Sequence, residues 1–188
     1  MAGDVRDRMV EGAMALLARR GLQATSFSEV LSATGAPRGS LYHHFPGGKD
    51  QLVAAAVDCA GAVLTDALEP VAGAPAEVVV ARFLAIWRAV LTRSQCEAGC
   101  AVLAVTVATD SAELLSHATA VFRAWRERLT DLLREGGLSS AEARSFATVL
   151  IASVEGAVVL SRADQSLEAF EAVAQQLMAQ VRRPPSAS

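Results

Sequence analysis

The chain has 188 residues, enough for one large domain or for a small domain joined to a larger one. It is rich in Ala, Leu, Val, Glu and Arg and poor in Pro and Tyr, a composition that favours helix over sheet. The net charge of −3 argues against a nucleic-acid partner for the chain as a whole. The first 52 residues, however, hold six basic and five acidic side chains, and the remainder eleven and fifteen. This distribution is compatible with DNA binding at the N-terminal end only.

Cysteine usage and hydropathy indicate the compartment. Three cysteines, Cys59, Cys96 and Cys100, are an odd number without the spacing of a disulfide framework. The N-terminus is charged rather than apolar, which argues against a signal segment. The most apolar runs, residues 100–108 and 146–160, are short for a membrane span, and Glu155 interrupts the second. We therefore expect a soluble cytoplasmic protein that has no membrane partner.

The first three predicted helices are short and closely spaced. Residues 5–20 carry apolar side chains at three- and four-residue steps, and Gly21 ends that helix. Ser26 to Glu29 has the pattern of a capping box, and the helix that it starts ends at Gly35. Pro37 precedes another helix over about 38–45, which Pro46-Gly47-Gly48 closes. Two short helices joined by a glycine turn, after a longer packing helix, predict a helix-turn-helix.

The remaining sequence predicts a larger helical body. Turn residues divide it into helices at about 50–68, 76–93, 98–108, 111–135, 140–163 and 166–182. Asp110, Ser139 and Ser166 are candidate N-caps. No segment alternates with the period of a strand. The fold class is therefore all-α with about nine helices, divided into domains at 1–50 and 51–182, and residues 183–188 form a disordered tail.

A family resemblance follows from the residues around the turn. Thr25-Ser26-Phe27, then Gly35-Ala36-Pro37-Arg38-Gly39-Ser40-Leu41-Tyr42-His43-His44-Phe45 and Lys49, resemble the DNA-binding head of TetR-family repressors. Pro37 stands where that family usually has Ser, and Gly47-Gly48 lengthens the link to the next helix. Together with Ala98-Gly99-Cys100, the same region resembles the lincomycin-resistance-repressor-like branch. The resemblance implies an N-terminal DNA-binding domain and a C-terminal ligand-binding and dimerisation domain.

The candidate DNA contacts lie on and around the third predicted helix. Gly39 and Ser40 allow close approach to DNA, Arg38 suits a guanine edge or a phosphate, and Tyr42 and His44 suit phosphates. His43 could contact either a base or a phosphate. The candidates are Thr25, Arg38, Gly39, Ser40, Tyr42, His43, His44 and Lys49, the last being a phosphate ligand by family resemblance. The competing interpretations are that Tyr42 packs its ring and that the histidines are ordinary surface residues.

Operator DNA is read by two helix-turn-helix units in a symmetric dimer, so the body should contain a dimer interface. Two apolar stripes on the last two helices are the candidates, and the resemblance implies a four-helix bundle made from both subunits. The interpretation as intrachain core applies to part of these stripes. The candidate interface residues are Ala147, Leu150, Ile151, Val154, Val158, Phe170, Val173 and Leu177.

The large aromatic side chains of the middle helices are candidates for an effector chamber, with Arg88 or His117 as polar groups. Aromatic residues at helical spacing are more often plain core. The candidate ligand-binding residues are Phe83, Trp87, Cys100, Leu103, Val107, His117, Phe122 and Trp125. No cofactor and no metal site are expected, because Cys96, Cys100 and His117 lack a fourth ligand and a paired spacing.

The sequence thus predicts a homodimeric repressor that leaves a palindromic operator when a small apolar or aromatic effector stabilises another conformation. A thiol sensor at Cys96 and Cys100 is a weaker alternative. An enzyme is disfavoured because no nucleophile–base pair, phosphate loop or metal cluster is evident. The alternative is a small-molecule-binding helical protein whose helix-turn-helix is vestigial, and an activator also remains open.

Overall fold

The computed structural model describes residues 2–182, with side chains from residue 5 onward, so the predicted tail at 183–188 lies outside the described residues. Within that range the chain forms nine α-helices and one 3₁₀ turn, Glu69–Val71, and no strand. The predicted all-α fold is confirmed. The helices are α1 (Ala2–Arg20), α2 (Phe27–Thr34), α3 (Arg38–His44), α4 (Lys49–Leu68), α5 (Ala76–Ser94), α6 (Ala101–Thr106), α7 (Ala112–Glu135), α8 (Ser140–Asp164) and α9 (Glu168–Val181).

The helices form two compact units. The first contains the residues up to Val63 together with Ala98–Arg123, and the second contains Leu64–Glu97 and the residues from Ala124 onward. The divisions fall within α4 and α7, which each contribute to both units. Helix α6 therefore groups with the helix-turn-helix, although the sequence assigned it to the body.

Close backbone approach organises the first unit. Helix α1 packs against α2, α3 and α6. A Cβ atom on Gly12 would lie 2.3 Å from Thr34 Cγ2, so glycine lets α1 and α2 approach this closely. The Gly99 N–H, just before α6, donates to the Ala18 carbonyl near the end of α1 at 2.8 Å. These contacts hold the helix-turn-helix on α1 and tie the start of α6 to it.

The second unit is built on α8. This helix packs against α9 and α5, and α5 packs against α9. Arg88 of α5 donates Nε and Nη2 to the two carboxylate oxygens of Glu171 in α9, at 2.6 and 2.8 Å. The pair fixes α5 against α9 with a geometry that only a planar guanidinium provides.

The helix ends agree with the sequence at some positions and differ at others. Gly21 and Gly35 have φ of +77° and +65°, as expected of glycines that end helices. Ser139 forms the complete capping box with Glu142. Ser26 forms only half of its box: its hydroxyl accepts from the Glu29 N–H at 3.2 Å, while the Glu29 carboxylate pairs with Arg20. An available guanidinium thus competes successfully for the carboxylate.

Two predicted N-caps are wrong. Ser111, not Asp110, accepts from a backbone N–H of α7, that of Leu114 at 3.4 Å. Helix α9 begins after Leu167, one residue later than a cap at Ser166 requires, although the Ser166 hydroxyl accepts from the Glu168 N–H at 3.2 Å. Both errors are of one residue: at α7 the neighbouring Ser111 supplies the capping oxygen, and at α9 the N-cap is Leu167, which has no side-chain acceptor.

Two segments, Lys49–Val71 and Ser140–Asp164, are long and apolar enough to cross a membrane by length and composition. The expectation that residues 146–160 are too short is therefore wrong, since α8 extends beyond this run on both sides. In the most apolar windows of the two segments, 44% and 50% of the residues are buried within the fold. Core helices of globular proteins have this same character, so membrane insertion does not follow.

Candidate nucleic-acid interface and partner surfaces

Helix α3 packs an apolar side against the core and exposes a polar side. Leu41 and Phe45, four residues apart, are 1% and 0% exposed and join the core of the first unit. Arg38, Gly39, Tyr42 and His43 are exposed on the remaining surface. Within the described part of the chain, Arg38 forms no hydrogen bond or ion pair, so its guanidinium donors are available. The result is a rigid helix whose polar face is open to a partner.

Tyr42 is placed for contact rather than for core packing. Its side chain is 73% exposed. The ring lies in a T-shaped arrangement with the ring of Phe27, with 6.1 Å between centroids and an interplanar angle of 77°. Because Phe27 is the first residue of α2, this contact supports the tyrosine from the neighbouring helix. The competing interpretation, a packed ring, does not fit this exposure.

Among the residues that the structure describes, none requires glycine at position 39. Its φ lies outside the left-handed region, and a Cβ atom built there meets nothing within 4 Å. Glycine inside a helix costs about 0.5–1 kcal/mol relative to alanine. The bare backbone at the exposed start of α3 is therefore suited to a surface that approaches very closely.

The other polar residues of α3 differ in exposure. Ser40 and His44 are half-buried, whereas His43 is exposed. The two imidazole rings lie edge to face with centroids 5.1 Å apart. His43 is therefore exposed like Arg38 and Tyr42, whereas Ser40 and His44 are only partly accessible.

Two predicted DNA contacts have structural partners instead. Thr25 is 1% exposed, and its hydroxyl donates to the Gly21 carbonyl at 2.8 Å, so it presents no donor to a phosphate. Lys49 Nζ donates to the Leu22 carbonyl at 3.0 Å. The ammonium thus ties the first residue of α4 to the connection between α1 and α2. Unlike Thr25, Lys49 is half-buried and keeps some exposure.

The candidate effector residues divide between the two units. Phe83, Trp87 and Trp125 are buried in the second unit, at 1%, 6% and 3% exposure. In the first unit Cys100 is buried, and Leu103, His117 and Phe122 are half-buried. Val107 is 73% exposed at the end of α6, which removes it from any enclosed apolar lining.

The polar groups suggested for an effector chamber are already engaged. His117 Nδ1 lies 3.0 Å from Asp58 Oδ1, which links α7 to α4 within the first unit. Arg88 is held by Glu171, and this hydrogen bond raises the pKa of Arg88 and lowers that of Glu171. Both side chains therefore serve helix packing first.

The three cysteines are partly or fully buried. Burial, and then the negative charges of Glu11 and Asp7, raise the pKa of Cys59, which disfavours its thiolate. Cys96 and Cys100 are buried. Cys100 Sγ also accepts from the Leu103 N–H at 3.3 Å and so caps α6. Capping explains this cysteine without redox chemistry.

The predicted dimer stripes lie mostly inside the chain. Ala147, Leu150, Ile151, Val154 and Val158 are all between 0% and 7% exposed, and Phe170 and Leu177 are equally buried. Only Val173 is half-buried. These side chains fill the core of the second unit, because α8 packs its most apolar face against α5 and α9. They leave little surface for a partner.

Another face of α8 is exposed and carries no charge, and sequence reasoning missed it. Gly156 lies at its middle, with nothing within 4 Å of a built Cβ atom. Val149, Val159 and Leu160 are 39%, 51% and 53% exposed. The signal was present in the sequence as an uncharged series at helical spacing, and its exposed members are Ser145, Thr148, Val149, Ala152, Gly156, Val159, Leu160 and Ala163.

Two family models match this chain. Residues 9–56 match the model described as bacterial regulatory proteins, tetR family. Residues 75–176 match the C-terminal domain of the LmrA/YxaF-like transcriptional regulators. The chain belongs to the TetR family. The predicted branch is confirmed, and with it a DNA-binding transcriptional regulator of a non-enzymatic family.

Relatives within and beyond this branch agree with the assignment. Rv0196 of Mycobacterium tuberculosis, an uncharacterized HTH-type transcriptional regulator, is 34% identical over 179 residues, covering 92% of this chain and 91% of the relative. LmrA of Bacillus subtilis, an HTH-type transcriptional regulator, is 29% identical over 172 residues, covering 85% and 87%. A TetR-family regulator from Agrobacterium tumefaciens shares the fold, with a TM-score of 0.82 at 20% identity over 96% and 98% of the two chains.

Proposed function

We propose that this TetR-family protein is a dimeric repressor that holds a palindromic operator with α3 of each subunit and is released by a small apolar or aromatic effector. The observation that carries the proposal is the exposed face of α3, where Arg38, Gly39 and Tyr42 stand on a helix anchored by buried Leu41 and Phe45. In this proposal residues 1–50 read DNA, and residues 51–182 bind the effector and dimerise. The protein acts in the cytoplasm, where the operator is.

The chemistry of α3 suits the major groove. Arg38 is placed at the start of the helix, where its five donors can pair with a guanine edge or bridge to a phosphate. Tyr42, one turn later, can donate its hydroxyl to a phosphate. His43 adds a further exposed donor on α3. Gly39 lets the helix backbone approach the bases between these contacts.

In this proposal the second subunit packs on the uncharged face of α8. A mid-helix glycine costs stability, and none of the described residues occupies the space beside Gly156. A partner helix would use that space, with Val149, Val159 and Leu160 around the crossing point. Small residues at helix crossings permit such close approach, and the apolar side chains beside them would leave water.

Release by an effector requires two conformations of the dimer with different spacings of the two α3 helices. The effector must bind the conformation that does not fit the operator more tightly than the one that does. Equal affinity for both conformations would leave their populations unchanged. Helix α4 connects the start of the body to the helix-turn-helix through Lys49 and is the natural lever. The buried aromatic residues of α5 and α7 support an effector of apolar or aromatic character.

The experiment is a fluorescence-anisotropy titration of the full-length protein with the DNA upstream of its own gene, at about 100 and 200 mM salt. Unrelated DNA serves as competitor. Arg38→Ala and Tyr42→Ala remove the two side chains that α3 presents, and Arg126→Ala, an exposed arginine of α7, is the matched control for charge. Circular dichroism of each variant verifies folding.

We expect binding of the wild-type protein and of Arg126→Ala to survive competitor. We expect losses of about tenfold or more for the two α3 variants, since each removes a contact of roughly 1–3 kcal/mol. Weak binding that ignores sequence and is equal in all four proteins would overturn the proposal and favour a ligand-binding protein with a vestigial helix-turn-helix.

A further inference from the structure

Tyr42 needs a defined orientation if its hydroxyl is to meet a phosphate. The residue is 73% exposed on α3. A side chain exposed to this degree ordinarily changes rotamer on the picosecond to nanosecond scale. Ordering it at the moment of binding lowers the affinity by a factor of about two to ten. A contact that orders the ring before DNA arrives would avoid this loss.

Phe27 supplies a ring contact to Tyr42 from α2. The two rings lie edge to face, with 6.1 Å between centroids and an interplanar angle of 77°. This arrangement brings the positive edge of one ring to the negative face of the other, and it is stabilising beyond the apolar area that it buries. Because the tyrosine oxygen lies on the axis of its ring, a contact that restrains the ring also restrains the oxygen atom.

The backbone that carries Phe27 is itself anchored. Ser26, the N-cap of α2, accepts from the Glu29 N–H at 3.2 Å, and its hydroxyl lies 2.9 Å from Ser28 Oγ. The Glu29 carboxylate pairs with Arg20 of α1 at 2.8 Å. Phe27 is half-buried, so part of its side chain packs within the protein. Its ring is therefore a supported surface next to an exposed one.

We propose that Phe27 is a positioning residue for operator binding: its ring holds Tyr42 in the orientation in which the tyrosine hydroxyl donates to a phosphate. Phe27 acts through Tyr42 and makes no DNA contact of its own. Packing at position 27 needs an apolar side chain of suitable size, whereas the edge-to-face contact needs a ring. This inference rests on the phosphate contact of Tyr42 in the proposed function and adds the residue that orients it.

The first arm of the test concerns the free protein and needs no DNA. Tyr42 is the single tyrosine of the chain, so isotope-labelled tyrosine reports this side chain alone. We expect three-bond NMR couplings of the wild type to show one predominant χ1 rotamer, and those of Phe27→Leu to show averaging over several. Identical couplings in the two proteins would overturn the proposal, because the Phe27 ring would then have no effect on Tyr42.

The second arm is a double-mutant cycle in operator affinity, measured by fluorescence anisotropy. Phe27→Leu should bind operator about fivefold or more weakly, since both subunits must then order Tyr42 on binding. In the Tyr42→Phe background there is no hydroxyl to orient, so Phe27→Leu should change the affinity by less than about twofold. Phe27→Tyr keeps a ring at position 27 and should stay within about twofold of the wild type.

A purely structural role of Phe27 predicts the same loss in both backgrounds, and that result would overturn the inference. Wild-type affinity of Phe27→Leu, or of Tyr42→Phe alone, would do so too. Circular dichroism verifies folding, and Phe27→Met, which also lacks a ring, replaces Phe27→Leu if that variant unfolds. Failure of the proposed function has a different signature: the wild-type protein itself would not distinguish operator from unrelated DNA, whatever the couplings of Tyr42 show.

Discussion

Gly39 is the position on α3 where an added Cβ atom should affect folding and DNA binding in opposite directions. Alanine at this position meets no atom of the protein, so its effect on folding and its effect on binding should have opposite signs. We expect Gly39→Ala to raise the free energy of unfolding by about 0.5–1 kcal/mol through helix propensity and a less flexible unfolded chain. We expect operator affinity to fall about tenfold or more, because the added methyl group holds α3 away from the DNA.

Urea unfolding and anisotropy titration of the same preparation measure the two effects. The higher stability is itself the control, since a more stable variant cannot lose affinity by unfolding. A variant that is more stable and binds operator as tightly as the wild type would show that α3 does not approach DNA at this point.

We predict that Lys49 stabilises the connection between α1 and α2 and does not contact a DNA phosphate. Lys49→Met keeps the aliphatic chain and removes the ammonium that donates to the Leu22 carbonyl. A hydrogen bond from a charged group contributes about 1.5–3 kcal/mol, so the free energy of unfolding should fall by up to that amount. If the ammonium bound a phosphate, the slope of log affinity against log salt would also decrease by about one for each subunit.

We expect the salt slope of Lys49→Met to stay at the wild-type value, while Arg38→Ala serves as the comparison for a residue directed at DNA. Titrations at four salt concentrations determine the slope. A smaller slope in Lys49→Met with unchanged stability would restore the phosphate contact that the family resemblance implied.

Sequence reasoning identified the residue types of the interface better than their partners. Arg38, Tyr42 and Gly39 are exposed as expected, because the i, i+4 spacing of Leu41 and Phe45 fixes which side of α3 is buried. Thr25 and Lys49 have intrachain partners that the sequence did not indicate, and for a common reason. Their acceptors are backbone carbonyls of residues 21 and 22, which no side-chain pattern reveals.

At the scale of elements, the Arg88–Glu171 pair joins α5 to α9 and makes that junction dependent on pH. The hydrogen bond from Arg88 holds the pKa of Glu171 below its ordinary value. A lowered carboxyl pKa stabilises the fold above the unfolded value of about 4.3, and this contribution disappears as pH falls through the lowered value. Both side chains remain about 40% exposed, so solvent screening limits the contribution to about 1 kcal/mol or less.

We expect Glu171→Gln to be less stable than the wild type at pH 7, and the difference to shrink as the pH falls through the lowered pKa of Glu171. Glu168→Gln, which removes the same charge from the same first turn of α9, is the control and should show a smaller difference. Urea unfolding across this pH range measures the change. A constant difference between wild type and Glu171→Gln at all pH values would exclude an ionic origin.

Helix positions were predictable from the sequence because turn residues such as Gly21, Gly35 and Ser139 have local effects on the backbone. The buried face of α8 was also visible, but its interpretation as a dimer surface was not supported. Apolar periodicity identifies the side of a helix that leaves water. It does not distinguish packing within a chain from packing between chains, and α8 has one face for the core and an uncharged exposed face beside it.

At the scale of the whole molecule, the α8 face should determine whether the protein is a dimer. Ala152→Glu places a charge one turn from Gly156, where burial against a second subunit would leave it unpaired. Ala124→Glu makes the same change at an exposed alanine of α7 and is the matched control. We expect sedimentation equilibrium to give a monomer, or a dimer weakened at least a hundredfold, for Ala152→Glu only. Two dimeric variants of equal affinity would exclude this face as the interface.

Loss of the dimer should then weaken operator binding, although α3 itself is unchanged. A monomer has half the phosphate contacts, so the slope of log affinity against log salt should fall to about half, and operator affinity should fall by several orders of magnitude. Gly39→Ala provides the contrast: it should weaken binding while the protein stays dimeric. If monomeric Ala152→Glu bound the full operator with wild-type affinity and slope, recognition would belong to a single helix-turn-helix, and the palindromic operator would no longer be required.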